Sequence, residues 1–323
     1  MRLETGSEMS GSKLSSVHGV HRRSVVLGSM LGSLSGTAFS SAPGPAAGAA
    51  PLRVIYPNIE ERPASAYGYQ LLELALKKSG VPFKLSIFDR PSSSQRAGAQ
   101  LESGEIDVLD NSSSVRSAER FDLVPFPLDL GLSGCRMLLG RNDRLKRLDA
   151  VKSLVDLVPF VFGQGQGWLD TKILRTAGLR VVEGEYGNLF RMLEAGRFDY
   201  YPLGSEEAHE VLARNQALAP DVAVHLNVGL FYPFIRVYYV TRGNEALRNA
   251  LMAGLEAASA DGSLQAFLAK TSGLGPILSG QRPLPKTLLA MPNPWWPPSL
   301  HGITLNRFHP ALRPALRQLN FSD

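Results

Sequence analysis

Three short stretches carry the groups best suited to holding a ligand. The apolar run Val158–Phe162 leads into Gly163-Gln164-Gly165-Gln166-Gly167-Trp168-Leu169-Asp170. Glycine at every second position lets backbone N–H groups approach a ligand closely, and the helix start that follows adds unpaired donors at its positive dipole end. Such a turn suits a carboxylate, a phosphate or a polar amide; the plain alternative is a tight strand-to-helix connection. Asn111-Ser112-Ser113-Ser114 and Gly204-Ser205-Glu206-Glu207 offer amide, hydroxyl and carboxylate groups at the ends of two further strands. Ligands of open α/β sheets lie outside the carboxyl ends of the strands, so the three loops are candidates for one cleft. For the serine run the alternative is a loop or a helix cap.

Other chemistries lack their parts. His209, His225, His301 and His309 are scattered without metal-ligand spacing, so no metal is expected. Cys135 is the only cysteine, which rules out an intramolecular disulfide and reads as a small buried apolar residue. Lys270-Thr271-Ser272-Gly273 has no Ser-x-x-Lys companion between residues 50 and 323 to make a serine hydrolase site. Gly163-x-Gly165-x-Gly167, with Glu183 about twenty residues on, has part of a dinucleotide fingerprint. A nicotinamide-dependent exported oxidoreductase is therefore the rival reading, although the third fingerprint glycine falls at Trp168. The main reading implies no enzyme and no cofactor.

The elements that must position these loops alternate. Pro51–Tyr56 reads as a strand, and Tyr67–Ser79 as an amphipathic helix with Tyr69, Leu72, Ala75 and Leu76 on one face and Gly80 as its stop. Pro82–Phe88 reads as a strand, residues 94–103 as a helix and Gly104–Leu109 as a third strand. This β-α-β-α-β order favours a parallel sheet covered by helices. The order then returns: Leu101-Glu102-Ser103-Gly104-Glu105-Ile106-Asp107 is echoed by Leu193-Glu194-Ala195-Gly196-Arg197-Phe198-Asp199. In both copies a helix ends at glycine and a strand carries aspartate, which implies two related lobes. Residues 232–240 read as extended, residues 245–259 and 264–271 as helices, and the proline-rich remainder as a surface tail anchored by tryptophans and loosely held at its end.

Bulk properties agree with a two-domain globular chain. Its 323 residues suffice for two cores, and 44% hydrophobic with 20% charged residues excludes a disordered or fibrous class. Four basic and two acidic residues fall within the first 49, so about +3 of the formal +5 remains for the rest. That is too little to argue for a nucleic-acid partner. Residues 1–49 read as an export signal: Arg22-Arg23 precede a weakly apolar, uncharged run from Val25 to Phe39, and Ala47-Gly48-Ala49 is a candidate cleavage site. His21-Arg22-Arg23-Ser24-Val25-Val26 resembles a twin-arginine signal. The run is too short and weak for a membrane span, so an exported soluble protein of the periplasm is expected.

Several local features resemble the periplasmic solute-binding proteins of the type II fold, in the amino-acid-binding (family 3) group of ABC importers. Ser103-Gly104-Glu105-Ile106-Asp107 resembles that group's Gly-x-Ile/Leu-Asp strand. Arg116-Ser117-Ala118-Glu119-Arg120, followed by Phe121 and Pro127, resembles the segment leading to its first interlobe crossover. Val161-Phe162-Gly163-Gln164-Gly165 resembles its second-lobe Gln-Gly turn, and Asp261-Gly262-Ser263 the Asp-Gly-Thr/Ser before its final helix. The resemblance implies a two-lobed α/β fold, each lobe a mostly parallel sheet flanked by helices, with a ligand cleft between them. Lobe 1 would comprise residues 50–130 and 237–298, lobe 2 residues 131–236, and residues 299–323 a C-terminal tail. The crossings would lie near Leu128–Ser133 and Tyr232–Arg236, with Gly131, Gly134 and Pro233 as hinge points.

The same resemblance implies a small, amino-acid-like solute and a monomer that serves an importer's membrane permease or a sensor partner. Arg120 would grip a ligand carboxylate through its planar guanidinium; the alternative is a surface ion pair with Glu119 or Asp122. Tyr56 would form an aromatic wall, with Asn111, Ser112 and Ser113 beside it. Gln164, Gly165, Gln166 and Trp168 would face them from lobe 2, with Trp168 stacking on a flat ligand. The group's acidic residue for an amino group falls near Gly204 here, which leaves Glu206 or Glu207 to replace it. Hydroxyl residues usual in the second-lobe turn are also replaced, by Gln166-Gly167-Trp168, which puts a plain α-amino acid in question.

Overall fold

The computed structural model describes residues 50–59 and 63–322, so the export signal read over residues 1–49 lies outside it. The first lobe starts with β1 (Leu52–Asn58), α1 (Tyr67–Lys78), β2 (Phe83–Pro91), α2 (Ser94–Ser103), β3 (Val108–Ser112), α3 (Val115–Arg120) and β4 (Asp122–Leu123). In α1, Leu71, Leu72, Ala75 and Leu76 form the buried stripe. Helix α2 is capped by Ser93, whose hydroxyl accepts from Arg96 N–H, and ends at Gly104 with φ +75°. Because Gly104 closes the helix, the strand expected from that residue begins only at Val108.

Residues 124–134 carry the chain to the second lobe. There it forms β5 (Cys135–Arg141), α4 (Asn142–Leu145), β6 (Val161–Gly165), α5 (Leu169–Thr176), β7 (Arg180–Gly184), α6 (Leu189–Glu194), β8 (Tyr200–Gly204), α7 (Ala208–Asn215) and β9 (Val222–Phe231). Residues 232–235 return it to β10 (Arg236–Val240), α8 (Glu245–Ala260), α9 (Ser263–Leu268) and α10 (Gly275–Leu278). Among the described residues the strands form a β1-β2 pair, a β3-β10-β4 sheet and a six-stranded sheet ordered β11-β9-β5-β8-β6-β7, where β11 is Thr287–Ala290.

Parallel pairing holds for β1/β2, β6/β7, β6/β8 and β9/β11. Antiparallel pairing occurs at β5 and at β10. Each of these two strands is entered from the opposite lobe, so it runs against its neighbours. The seven-residue echo has a structural meaning. Asp107 accepts from Ile55 N–H at 2.8 Å, and Asp199 accepts from Val161 N–H at 2.8 Å, so each pins the strand that opens its lobe's βαβ series. The two aspartates immediately precede strands of different sheets, β3 and β8, as two lobes require.

The last forty residues depart from the expected surface tail. Strand β11 pairs with β9, so this segment of the expected 237–298 portion joins the second lobe's sheet. Beyond it, Leu300, Leu305, Phe308, Leu312 and Leu316, the last at the centre of α11 (Arg313–Gln318), are buried in the first lobe's core. Their spacing is that of short 3₁₀ turns and one helical turn, too brief to read as an amphipathic period. Phe308 lies against Gly131 in the first crossover, His309 N–H donates to Leu130, and Asn293 donates to the Pro233 carbonyl in the second. Phe308→Ala should therefore lower the unfolding free energy by roughly 3–5 kcal/mol in urea titration. A loosely held tail would leave the midpoint unchanged.

Candidate functional site

Beside the first crossover the structure forms a partly open cavity of about 240 Å³. Tyr67, Gly68 and Arg236 face it from the first lobe, Ser133 from the first crossover, and Glu206 and Glu207 from the loop after β8. Residues 271–274, between α9 and α10, close the remaining side.

Its first-lobe floor is built on Asp110, near the carboxyl end of β3. This buried carboxylate accepts from Tyr56 hydroxyl and holds Arg236 Nε at 2.6 Å. Register brings these residues together, because Asp110 sits opposite Tyr238 on β10 and Arg236 opposite Ser112. A side chain at position 68 would collide with the Asp110 carboxylate, so only glycine lets the start of α1 descend over it. Tyr238 hydroxyl then donates to the Gly68 carbonyl at 2.7 Å. The Asp110 carboxylate holds the Arg236 guanidinium firmly in its charged form.

The hinge side is organised by Asp129. Its two oxygens accept from Gly131 N–H at 3.0 Å and Ser133 N–H at 3.1 Å, fixing the turn in which Leu130 and Gly131 adopt φ of 54° and 77°. Burial raises the Asp129 carboxyl above the usual range, against these hydrogen bonds. Tyr67 hydroxyl donates to the Leu128 carbonyl and ties α1 to the same turn.

Glu206 supplies the charge on the other wall. Its Oε2 is fully enclosed and has no hydrogen-bond partner. Burial, then the negative charges of Glu207 and Asp129, push its carboxyl up to about 7, with Arg136 pulling the other way. Behind it, Arg136 is bound to Asp170 at 2.7 Å and stacked between the Tyr232 and Phe234 rings, 5.1 and 4.9 Å from their centres. Tyr232 hydroxyl donates to the same Asp170. The Cys135 thiol is buried and pushed up to about 12 by desolvation, so it is inert as a nucleophile. Among the described residues, no group of three His, Cys, Asp or Glu side chains could hold a metal ion.

Of the ligand residues singled out from sequence, the structure brings Glu206 and its alternative Glu207 to this cavity, and Tyr56 to its floor. Arg120 lies on the outer face of lobe 1, paired with Glu102 at 2.6 Å and laid over the Phe121 ring. It is a surface ion pair, with a partner other than the two considered. Asn111 shares that outer depression and caps Ser112 N–H with its own side chain. Ser112 lies in the β3/β10 ladder, and buried Ser113 exchanges hydrogen bonds with Ile235.

The glycine turn is not an open cradle. Buried Gln164 donates to the Pro202 carbonyl, Gln166 N–H to Gly184 and Gly167 N–H to Glu183. The Trp168 indole lies flat against Gly165, where even one added carbon would not fit, and packs on Tyr186 at 5.9 Å. Gln164, Gly165, Gln166 and Trp168 thus hold the second lobe together, because a close strand-to-helix turn needs the same glycines as a ligand cradle.

Sequence reasoning missed Asp110, Arg236, Asp129 and Tyr67. One signal was present: Arg236 is the lone charge in Tyr232-Pro-Phe-Ile-Arg-Val-Tyr-Tyr-Val240, and a charge in a buried strand implies a buried partner.

No family model and no curated protein matches the chain. Solved structures do show likeness. An ancestral arginine-binding protein bound to arginine is 20% identical, with a TM-score of 0.47, covering 68% of this chain and 96% of its own. The Salmonella typhimurium periplasmic binding protein STM4351, described for high arginine specificity, is 13% identical with a TM-score of 0.45, covering 68% and 98%. A histidine kinase sensor domain with similarity to periplasmic binding proteins is 19% identical with a TM-score of 0.46, covering 68% and 95%. Amino-acid-binding periplasmic proteins, the group whose motifs the sequence resembles, thus stand among the structural neighbours.

Glu206 makes the site sensitive to pH. An acid raised in the folded state contributes stability below its unfolded pKa of about 4.3, and that contribution is lost as pH rises to about 7. Glu206→Gln removes the penalty while keeping the shape. The variant's unfolding free energy should match the parent's near pH 4.5 and exceed it by roughly 1–3 kcal/mol at pH 8. Urea titrations across this range decide the matter; a difference that does not change with pH means the carboxyl is not held up.

Proposed function

We propose that this chain is an extracytoplasmic solute-binding protein that captures a small, polar, charged molecule in the cavity between its lobes. The observation that carries this reading is the make-up of the cavity. Its walls come from both lobes and from the first crossover, so one ligand touches parts that a hinge can separate. Closed walls bind better than open ones, and that difference in affinity drives closure. The captured solute would pass to the permease of an ABC-type importer, or the closed form would be read by a sensing partner; either use needs the same cavity. An export signal over residues 1–49 would place the protein in the periplasm, and no helix among the described residues is long and apolar enough to cross a membrane. Arg236, Glu206 and Glu207 are the charged ligand contacts, with Tyr67 as a flat wall and Tyr56 acting from below through Asp110.

Native mass spectrometry of freshly purified protein, followed by small-angle scattering with whatever solute is retained or found by thermal-shift screening, tests this reading. Closure predicts a smaller radius of gyration with solute and no change in the solute itself. An identical radius in both states, or steady consumption of the solute, overturns it.

A further inference from the structure

The positive charges around the cavity are matched, and several of its negative ones are not. Arg236 is neutralised by Asp110 at 2.6 Å, Arg136 by Asp170 at 2.7 Å, and Arg120 by Glu102 on the outer face. Asp170 also occupies the first turn of α5, so the helix start that might have received an anion already has one. Asp129, Glu206, Glu207 and Glu210 all line the cavity. Asp129 is held by backbone N–H groups, and Glu210 has Arg282 at 3.7 Å. Glu206 and Glu207 have no basic side chain within ion-pair distance among the described residues, and Glu206 Oε2 has no hydrogen-bond partner on another residue. A buried carboxylate oxygen without a partner is costly, and here the residue that carries it lines the cavity.

Resting on the solute-binding reading above, we propose that the ligand is a compact organic cation without a carboxylate, an amine or guanidine whose positive group sits against Glu206 and Glu207. A ligand ammonium or guanidinium supplies the hydrogen bonds that Glu206 lacks. A ligand carboxylate would instead enter a wall of like charge, with no unpaired guanidinium to receive it. The cavity volume of about 240 Å³ suits a chain of a few heavy atoms, and Tyr67 and Leu274 offer apolar cover for its methylene groups. The cation also replaces the proton on Glu206. Binding should therefore strengthen as pH rises through neutrality, with Glu207 and Asp129 raising and Arg136 opposing that proton affinity.

Two ligand pairs isolate the carboxylate: agmatine against arginine, and cadaverine against lysine. Titration calorimetry on the full chain at pH 7.5 should find the amine of at least one pair bound tenfold or more tighter than its amino acid. Glu206→Gln and Glu207→Gln, which conserve shape, should each weaken that binding about tenfold or more. The amine's affinity should also fall between pH 8 and pH 6 in the parent. Equal or tighter binding of arginine or lysine overturns the proposal and leaves the solute-binding reading standing. So does binding of glutamine or glutamate with no response to the amines. Amine binding that neither substitution weakens places the cation elsewhere and also overturns it. No binding by any amine, amino acid or sugar, together with no retained solute in native mass spectrometry, defeats both readings.

Discussion

The buried carboxylate of Asp110 is the constraint around which the first lobe closes. An ionised carboxylate taken out of water must be given charge and hydrogen bonds, or it will protonate or disrupt the fold. Here the partners come from two distant parts of the chain, Tyr56 from β1 and Arg236 from β10, and the bare backbone of α1 at Gly68 packs directly over them. Satisfying one charge thereby fixes how β1, α1 and the strand returning from lobe 2 meet. Arg236 also links this cluster to the hinge, because its carbonyl accepts Leu128 N–H. The floor of the cavity and the exit of the crossover are parts of one polar network, and networks of this kind are rigid only when every member is satisfied.

The second lobe solves a different problem with similar materials. Its glycine turn, tryptophan and helix start are used up internally, as the Gly165–Trp168 contact and the Arg136–Asp170 pair show. What it offers the cavity is the loop after β8, with two glutamates side by side. One lobe thus presents a neutralised surface and the other an unbalanced one. This asymmetry distinguishes the cavity from the outer depression around Arg120, where Glu102 already pairs that guanidinium.

Much of the architecture was legible because it rests on local signals. The α1 stripe, the glycine stops and the Leu-Glu-x-Gly-x-x-Asp echo each report on a few adjacent residues, and the structure shows Asp107 and Asp199 in equivalent roles. Strands β5 and β9 and helix α7 carry no such local signal. β5 is buried on both faces, so it shows no alternation to detect. The site was less legible still. Gly163–Trp168 has the composition of a cradle, and only the placement of the indole shows that it is filled. The serines at 112–113 look like ligand donors, but their partners are the β10 strand and Ile235. Arg236 and Asp110 lie 126 positions apart, and no spacing rule joins them.

The way the final segment is built in has a consequence for the order of folding. Leu300, Leu305, Phe308, Leu312 and Leu316 are interior residues of a core whose first members appear at Val54. A chain emerging vectorially from the ribosome cannot close that core until nearly its whole length is available. The contacts that seal it, such as Phe308 on Gly131, span long loops whose closure entropy is spent before any burial is gained. The amino-terminal half should therefore linger in an unsealed state while the rest is being made. Lobe 2, whose strands β5 to β9 are contiguous in the chain, can assemble most of its sheet first and serve as the template on which β11, and then lobe 1, is completed.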